Sequence, residues 1–521
     1  MTNERLAETS SGTPLRGERD GHALPDVDGQ HGNEHHHHHN HHHHHGAAGN
    51  RRSYSHMHFR VYKRRWFGLV QLVLLNTVIS MNWLTFSPVS TTSAKYYGVS
   101  ETAINWLSTG FMFAFVVMAP LVIWTLNRGP KEAIVWSSVL MLVGSWIRYA
   151  GTKAGGGVYG VAMLGQIIIG MAQPFALAAP TRYSDLWFTE SGRVSATAIA
   201  SLANPFGAAL AQLIVPFWAT KESEVPNMVL YVAIISTIVC LPGVFIPAKP
   251  PTPPSASSHL PKIDLVASIR KLSTSPSFYL ILFPFVIYVG SFNAFSSLLN
   301  QILYPYGYSE TEAGICGALL IVIGLVAAAI TSPLLDRSHA YILGIKLLVP
   351  IIALGYLALI WAPQTRTLAA PYVISSLLGA ASFSLVPIAL EYLVEVTFPA
   401  SPEVGSTICW AGGQLVGCVY IIIMNALKDG NVDLKTVSEK GRGMGTGDRP
   451  PGNMYKALVF QAVFALAVVP APMLLGIERL GLGEGKLKGR LRVDERGEGV
   501  GEGGVVEAAE GEGGPEGNLR I

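Results

Sequence analysis

Twelve stretches of this chain are each apolar over about twenty residues, and a Pro- and Ser-rich segment at residues 247–275 divides them six and six. About twenty helical residues at 1.5 Å each cross a hydrocarbon core of ~30 Å. Pro250, Pro251, Pro253 and Pro254 favour extended backbone that cannot span lipid, so the divider reads as a linker. A chain doubled in this way is the pattern of a secondary transporter built from two repeats, with its substrate site at their interface near the bilayer midplane. The expected fold class is therefore an all-α membrane protein with twelve transmembrane helices in two six-helix halves. Residues 61–247 and 277–477 form the halves, 248–276 a cytosolic linker, and 1–60 and 478–521 cytosolic tails without fixed structure. Composition agrees: half of the 521 residues are hydrophobic and only 14% are charged, against about 25% in soluble domains. The net charge of +3 is spread over loops and tails and makes no case for nucleic acid. Cys240, Cys316, Cys409 and Cys418 all lie in apolar segments, where they act as small hydrophobes rather than as a disulfide framework.

Arg60, Lys63, Arg64 and Arg65 precede the first span and place the amino terminus in the cytosol. No removable signal peptide is apparent, so the first span is expected to serve as the signal. The expected spans are 66–87, 104–126, 132–150, 158–179, 194–218 and 228–246, then 278–303, 313–335, 342–361, 368–392, 404–424 and 455–477. Loop charges support the orientation, with Arg128, Lys131, Arg182, Arg193, Arg337 and Lys346 on the cytosolic side. The loop from Lys428 to Arg449 runs against that bias. Leu260, Ile263, Val266, Ile269 and Leu272 recur at three- and four-residue intervals among charged residues, which predicts a short amphipathic helix on the membrane face. The runs His35–His39 and His41–His45 are read either as a repeat expansion or tag, or as a divalent-metal site.

Polar groups inside the spans are the functional candidates, because exposing a charge to lipid costs ~2.5 kcal/mol or more. Asn127 and Arg128 follow the second span, and Asp336 and Arg337 stand at the matching place after the eighth. A repeated basic cluster of this kind suits a cytosolic gate. Glu391 and Glu395, one helical turn apart at the inner end of the tenth span, either pair with a gate arginine or bind a proton. Arg148, near the end of its span, is expected to reach outward to the interface. No carboxylate occupies the centre of any span, so obligatory proton coupling lacks its usual carrier. The mid-depth polar residues are neutral: Asn76, Asn82, Gln166, Gln173, Asn204, Asn293, Asn300, Gln301 and Gln414. Each could bond a substrate or join helices. Trp83 belongs either to an interfacial belt or to a site where its ring faces a cation.

Trp83-Leu84-Thr85-Phe86-Ser87, Ile104-Asn105-Trp106-Leu107-Ser108, Ala172-Gln173-Pro174-Phe175, Asp185-Leu186-Trp187-Phe188 and Ser297-Leu298-Leu299-Asn300-Gln301 follow one another in a characteristic order. So does Glu391-Tyr392-Leu393-Val394-Glu395-Val396-Thr397-Phe398-Pro399. Over about residues 60–477 the chain resembles the feline leukaemia virus subgroup C receptor branch of the major facilitator superfamily, which includes choline, ethanolamine, haem and pyridoxine transporters. The resemblance implies a major facilitator fold and a site enclosing a quaternary ammonium. Trp83, Gln173 and Gln414 match three of its residues, while a tyrosine of the seventh helix falls on Asn293, flanked by Phe292 and Phe295. Asn204-Pro205-Phe206-Gly207 and Asn127 also depart from the family pattern and put choline itself in question.

The expected function is transport of a small cationic or polar neutral solute by alternating access, with choline- and ethanolamine-like cargo ahead of haem or pyridoxine. Substrate is expected at Trp83, Gln173, Asn293 and Gln414, with Asn82, Asn204, Phe292, Phe295, Asn300 and Gln301 as further lining. No enzyme activity, cofactor or resident metal is expected, and the protein is expected to act as a monomer in contact with lipid. The plasma membrane leads over vacuolar or lysosomal membranes. The rival readings are a transport-inactive receptor or sensor and a divalent-metal transporter using the histidine runs.

Overall fold

The structure, a computed structural model, describes residues 62–188, 190–252, 265–338, 340–397, 402–430 and 447–477. Both tails and the histidine runs lie outside these. Among the described residues twelve helices are long and apolar enough to cross a membrane. The first six are Arg64–Trp83, Glu101–Leu126, Pro130–Gly156, Tyr159–Ser184, Ser195–Trp218 and Glu222–Phe245. The second six are Pro276–Tyr306, Glu310–Thr331, Tyr341–Leu359, Ala369–Leu390, Val404–Ala426 and Tyr455–Met473. The expected all-α, twelve-span architecture is the one the chain forms.

Local chemistry sets the ends of these helices. Ser100 caps the second span, its Oγ accepting from the Ala103 N–H at 3.3 Å, and Glu101 sits in the first turn, where the helix dipole favours an acid. Gly129, with φ of 153°, makes the abrupt link to Pro130 at the start of the third span. The first span ends at Trp83, earlier than its apolar run suggests, and residues 84–89 turn into a short helix, Ser90–Tyr97. Pro88 accounts for this break: it lacks an N–H and pushes Ser87 away from helical geometry, and hydropathy does not register either effect.

Within each half, glycines let helices approach backbone to backbone, as lipid-embedded packing requires. A Cβ on Gly170 of the fourth span would lie 2.4 Å from the Phe111 carbonyl oxygen of the second. A Cβ on Gly379 of the tenth span would lie 1.8 Å from the Leu320 oxygen of the eighth. These two crossings occupy equivalent places in the two halves. The halves meet along two seams. At the first, the fifth span packs on the eighth, with Gly314 against the Gln212 carbonyl, and Gln212 Nε2 also donates to the Ser296 oxygen of the seventh span at 2.9 Å. At the second, the eleventh span packs on the second, where Cys418 Sγ donates to the Thr109 oxygen at 3.5 Å.

The helix Leu265–Ser273 follows the linker and buries Ser268 and Leu272 while exposing Ile269 and Arg270; Leu272 meets Gly405 of the eleventh span. Leu260 and Ile263 lie outside the described residues. In the loop that runs against the charge bias, Lys428 pairs with Glu101, and the Arg449 guanidinium lies 3.4 Å from the Tyr455 ring centroid. Local contacts thus hold both of these bases. Arg148 corrects an expectation. Rather than reaching outward it is 0% exposed, because its acceptors are the Asn82 carbonyl and side-chain oxygens at the interrupted end of the first span and Gln166 Oε1 of the fourth.

Gly379→Leu is expected to abolish tight packing of the eighth and tenth spans. Overpacking costs 1–3 kcal/mol or more where backbone blocks relief. Gly160→Ala, with nothing within 4 Å of its Cβ, should leave the thermal midpoint of the detergent-purified protein unchanged. Equal midpoints for the two variants would contradict the crossing.

Candidate substrate-binding site

A cavity of about 80 Å³ lies between the halves. The first half lines it with Ser80 and Trp83, Gln173 and Leu177, and Asn204, Pro205 and Ala208. The second half contributes Tyr288, Phe292 and Asn293 from the seventh span, Phe383 from the tenth, and Trp410 and Gln414 from the eleventh. Trp83, Gln173, Asn293 and Gln414, four residues far apart in sequence, therefore reach one space. Asn204 and Phe292 line it as well.

The polar inventory is small and uncharged. Asn293 Nδ2 donates to Gln414 Oε1 at 3.2 Å, so these two amides are fixed against each other. Trp83 Nε1, Gln173 Oε1 and Asn204 Nδ2 are buried with no hydrogen-bond partner among the described residues. They offer two donors and one acceptor, and an unsatisfied buried polar group costs ~1–3 kcal/mol, so a ligand group bonding to them regains that energy. Aromatic rings form the opposite wall. Phe292 and Phe383 meet edge to face at 5.3 Å, and Phe285 and Trp410 do so at 5.4 Å. Ring faces in a desolvated pocket attract cations by up to ~2 kcal/mol. Among the described residues no Lys or Arg lines the cavity to receive an anion.

The other candidates lie elsewhere. Asn82 is fully buried beside the cavity and bonds to Val78, Ser236 and Arg148. Phe295 is 1% exposed in the apolar core. Arg128 stacks on Trp124 of its own helix at 3.7 Å. The side chains of Asn127, Asp336, Arg337, Glu391 and Glu395 lie outside the described residues. Sequence reasoning did not single out Tyr288, Phe383 or Trp410. The only available signal was an aromatic residue inside an otherwise small-residue run, as at Trp410 before Gly412 and Gly413.

Asn300 and Gln301 close the halves together at the end of the bundle opposite the linker. Gln301 Nε2 donates to Asn105 Oδ1 at 2.6 Å and Asn105 Nδ2 returns a bond to Gln301 Oε1 at 3.2 Å. Asn105 also donates to Asn425, and Asn425 to Thr102. Asn300 Nδ2 donates to Ser90 Oγ at 3.0 Å and to Glu310 Oε1 at 3.1 Å. The Glu310 carboxylate also accepts from the Thr92 hydroxyl and N–H. The Lys428 and Glu101 ion pair completes the closure. Nearby, burial pushes the Tyr97 phenol up to about 12, so it stays neutral while bonded to Thr152.

A twelve-helix bundle in two halves, with a cavity between them and a closure at one end, can be compared with known proteins. Residues 72–420 match the family model of the Major Facilitator Superfamily. The chain belongs to that superfamily. Within it, the chain is 34% identical over 385 residues to solute carrier family 49 member A3 of Xenopus tropicalis, covering 71% of this chain and 79% of the relative. It is 28% identical over 397 residues to the choline/ethanolamine transporter flvcr2a of Danio rerio, covering 73% and 84%. These matches place it in the branch related to the feline leukaemia virus subgroup C receptors. Among solved structures, a bacterial homolog of the human lysosomal transporter Spinster, inward-facing and unoccupied, aligns with a TM-score of 0.59 at 16% identity over 80% of this chain and 97% of that one. A D-xylose-proton symporter aligns at 0.57 and 14% identity, over 78% and 98%. The protein is thus a superfamily transporter and not an enzyme.

Asn105→Ala removes both bonds to Gln301 and leaves its buried amide unpaired. The loss of roughly 1–3 kcal/mol should raise the population open at this end about five- to 150-fold. A cysteine introduced at Ser297, which is 2% exposed, should then react faster with maleimide added from that side. An unchanged labelling rate would remove Asn105 from the closure.

Proposed function

We propose that this transporter carries a small organic solute with a cationic or polar neutral headgroup, choline- or ethanolamine-like, by alternating access of its two halves. The observation that carries this reading is the uncharged cavity with Trp83 on one side and the Phe292, Phe383 and Trp410 rings on the other. A cavity of about 80 Å³ is smaller than the ~150 Å³ that holds a benzene ring, so in this conformation it suits an ethanolamine of four heavy atoms better than a choline of seven and leaves no room for a haem macrocycle. Relatives named as choline/ethanolamine transporters support the same class. At the position where those transporters are expected to supply a tyrosine, this chain has Asn293, and in this reading Phe292, Phe383 and Trp410 provide the second aromatic wall.

The basic residues before the first span support a cytosolic linker end and cytosolic termini. The plasma membrane remains the leading location. The closure at Asn105, Gln301 and Glu310 then seals the outer side, and Asn127, Arg128, Asp336, Arg337, Glu391 and Glu395 form the gate at the cytosolic end. The solute and lipid are the expected partners, and the unit of transport is the monomer.

The test is flux of labelled choline, ethanolamine and neutral amines into liposomes holding the purified protein. Trp83→Ala should weaken a cationic substrate about five- to thirtyfold, corresponding to ~1–2 kcal/mol of ring contact. Asn293→Tyr should tighten choline binding. Absence of flux for every solute in the panel would favour a receptor, and unchanged affinity in a folded Trp83→Ala variant would remove the ring from the site.

A further inference from the structure

The first span stops inside the bundle at Trp83, and a helix end leaves four carbonyls without intrahelical donors. Buried as this end is, each must still be satisfied. The Ser80 oxygen accepts from the Leu84 N–H at 3.3 Å, and the Met81 oxygen from the Thr85 hydroxyl at 2.9 Å. The Asn82 oxygen accepts from Arg148 Nη1 at 3.1 Å and from Gln166 Nε2 at 3.2 Å. The Trp83 oxygen accepts from Gln166 Nε2 at 3.4 Å. Arg148 Nη2 also donates to Asn82 Oδ1 at 2.6 Å, and Nη1 to Gln166 Oε1 at 2.7 Å. The Asn82 amide nitrogen is itself held by Val78 and Ser236, so no polar atom of that side chain is free to turn.

Arg148 is 0% exposed, and no carboxylate among the described residues pairs with it. Removing an unpaired cation from water costs several kcal/mol, and such a charge persists only where something compensates. Here the compensation is the negative end of the first span's dipole, three hydrogen bonds that the guanidinium donates, and the Phe86 ring 5.6 Å from the guanidinium carbon. One turn further along, the Thr152 hydroxyl binds the Arg148 oxygen and the Tyr97 hydroxyl, tying the short helix after the break to the same span.

We infer that Arg148, with Gln166, is a positioning residue for transport: it caps the interrupted first span and thereby sets the direction of the Trp83 ring into the solute cavity. The role of the ring in binding rests on the function proposed above; the positioning of the ring does not. Arg148 never touches the solute, and the fork of its guanidinium matters more than its charge, because a lysine could reach one Asn82 acceptor but could not bridge the carbonyl, the side-chain oxygen and Gln166 together.

The deciding experiment uses the full chain in lipid nanodiscs with its ten tryptophans replaced biosynthetically by 5-fluorotryptophan, without any solute. The Trp83 fluorine resonance is assigned by its loss in Trp83→Phe. In Arg148→Lys and in Gln166→Met, which keeps the buried charge and removes the neutral Nε2 donor together with the Oε1 that accepts from Arg148, that resonance should shift or broaden while those of Trp66 and Trp218 stay in place. An unmoved Trp83 resonance in either folded variant overturns the inference, and a lowered melting temperature alone does not support it. A second arm measures labelled choline affinity. Arg148→Lys should weaken it roughly tenfold, and should do nothing further in a Trp83→Ala background. Additive losses would overturn the inference. If the parent protein binds no choline, the proposed solute class fails while the fluorine arm still decides Arg148.

Discussion

A helix that ends in a buried site is tolerated only where other groups take over the hydrogen bonds it forgoes, and the first span ends, buried, beside the cavity. Much of the first half follows from that requirement. Gly144, Gly151 and Gly165 bring the third and fourth spans close enough that Arg148 and Gln166 reach one helix end together. Thr85 turns back on Met81, and the short helix Ser90–Tyr97 leaves from the same break to carry Ser90, Thr91 and Thr92 toward the second half. The break, the cavity wall and the closure are three parts of one stretch of chain.

The polar closure is suited to a contact that must open repeatedly. Its bonds are mostly between neutral amides and hydroxyls, each worth ~0.5–1.5 kcal/mol net because water can replace the lost partner. The glycine crossings inside each half are different in kind. They rely on close backbone contact, as does Gly314 against the Gln212 carbonyl on the seam between the halves, so the polar closure parts more easily than any of these crossings.

The number of spans and their division by the linker were legible because lipid demands long apolar runs, and that demand is written residue by residue. The place where the first helix stops was not, since Leu84 and Phe86 continue the apolar pattern and only Pro88 hints at the break. Neutral polar residues were legible as a set but not by role. Asn82, Asn300 and Gln414 look alike in sequence, yet one holds a helix end, one holds the two halves together, and one lines the cavity. The direction of a side chain around its helix decides among these, and that direction depends on packing between segments more than a hundred residues apart. Arg148 was misjudged for the same reason: its nearness to a helix end suggested escape to water, whereas the acceptors that retain it belong to two other helices, the first and the fourth.

The seventh span, which matches the first in the doubled plan, continues as one helix, Pro276–Leu303. The twofold relation that shapes the scaffold is therefore lost at the cavity. One wall is an uninterrupted helix bearing Asn293 and Phe292, and the other is the end of a broken one bearing Trp83. A solute between them meets unlike surfaces on its two sides, so the cavity itself tells one end of an asymmetric molecule from the other.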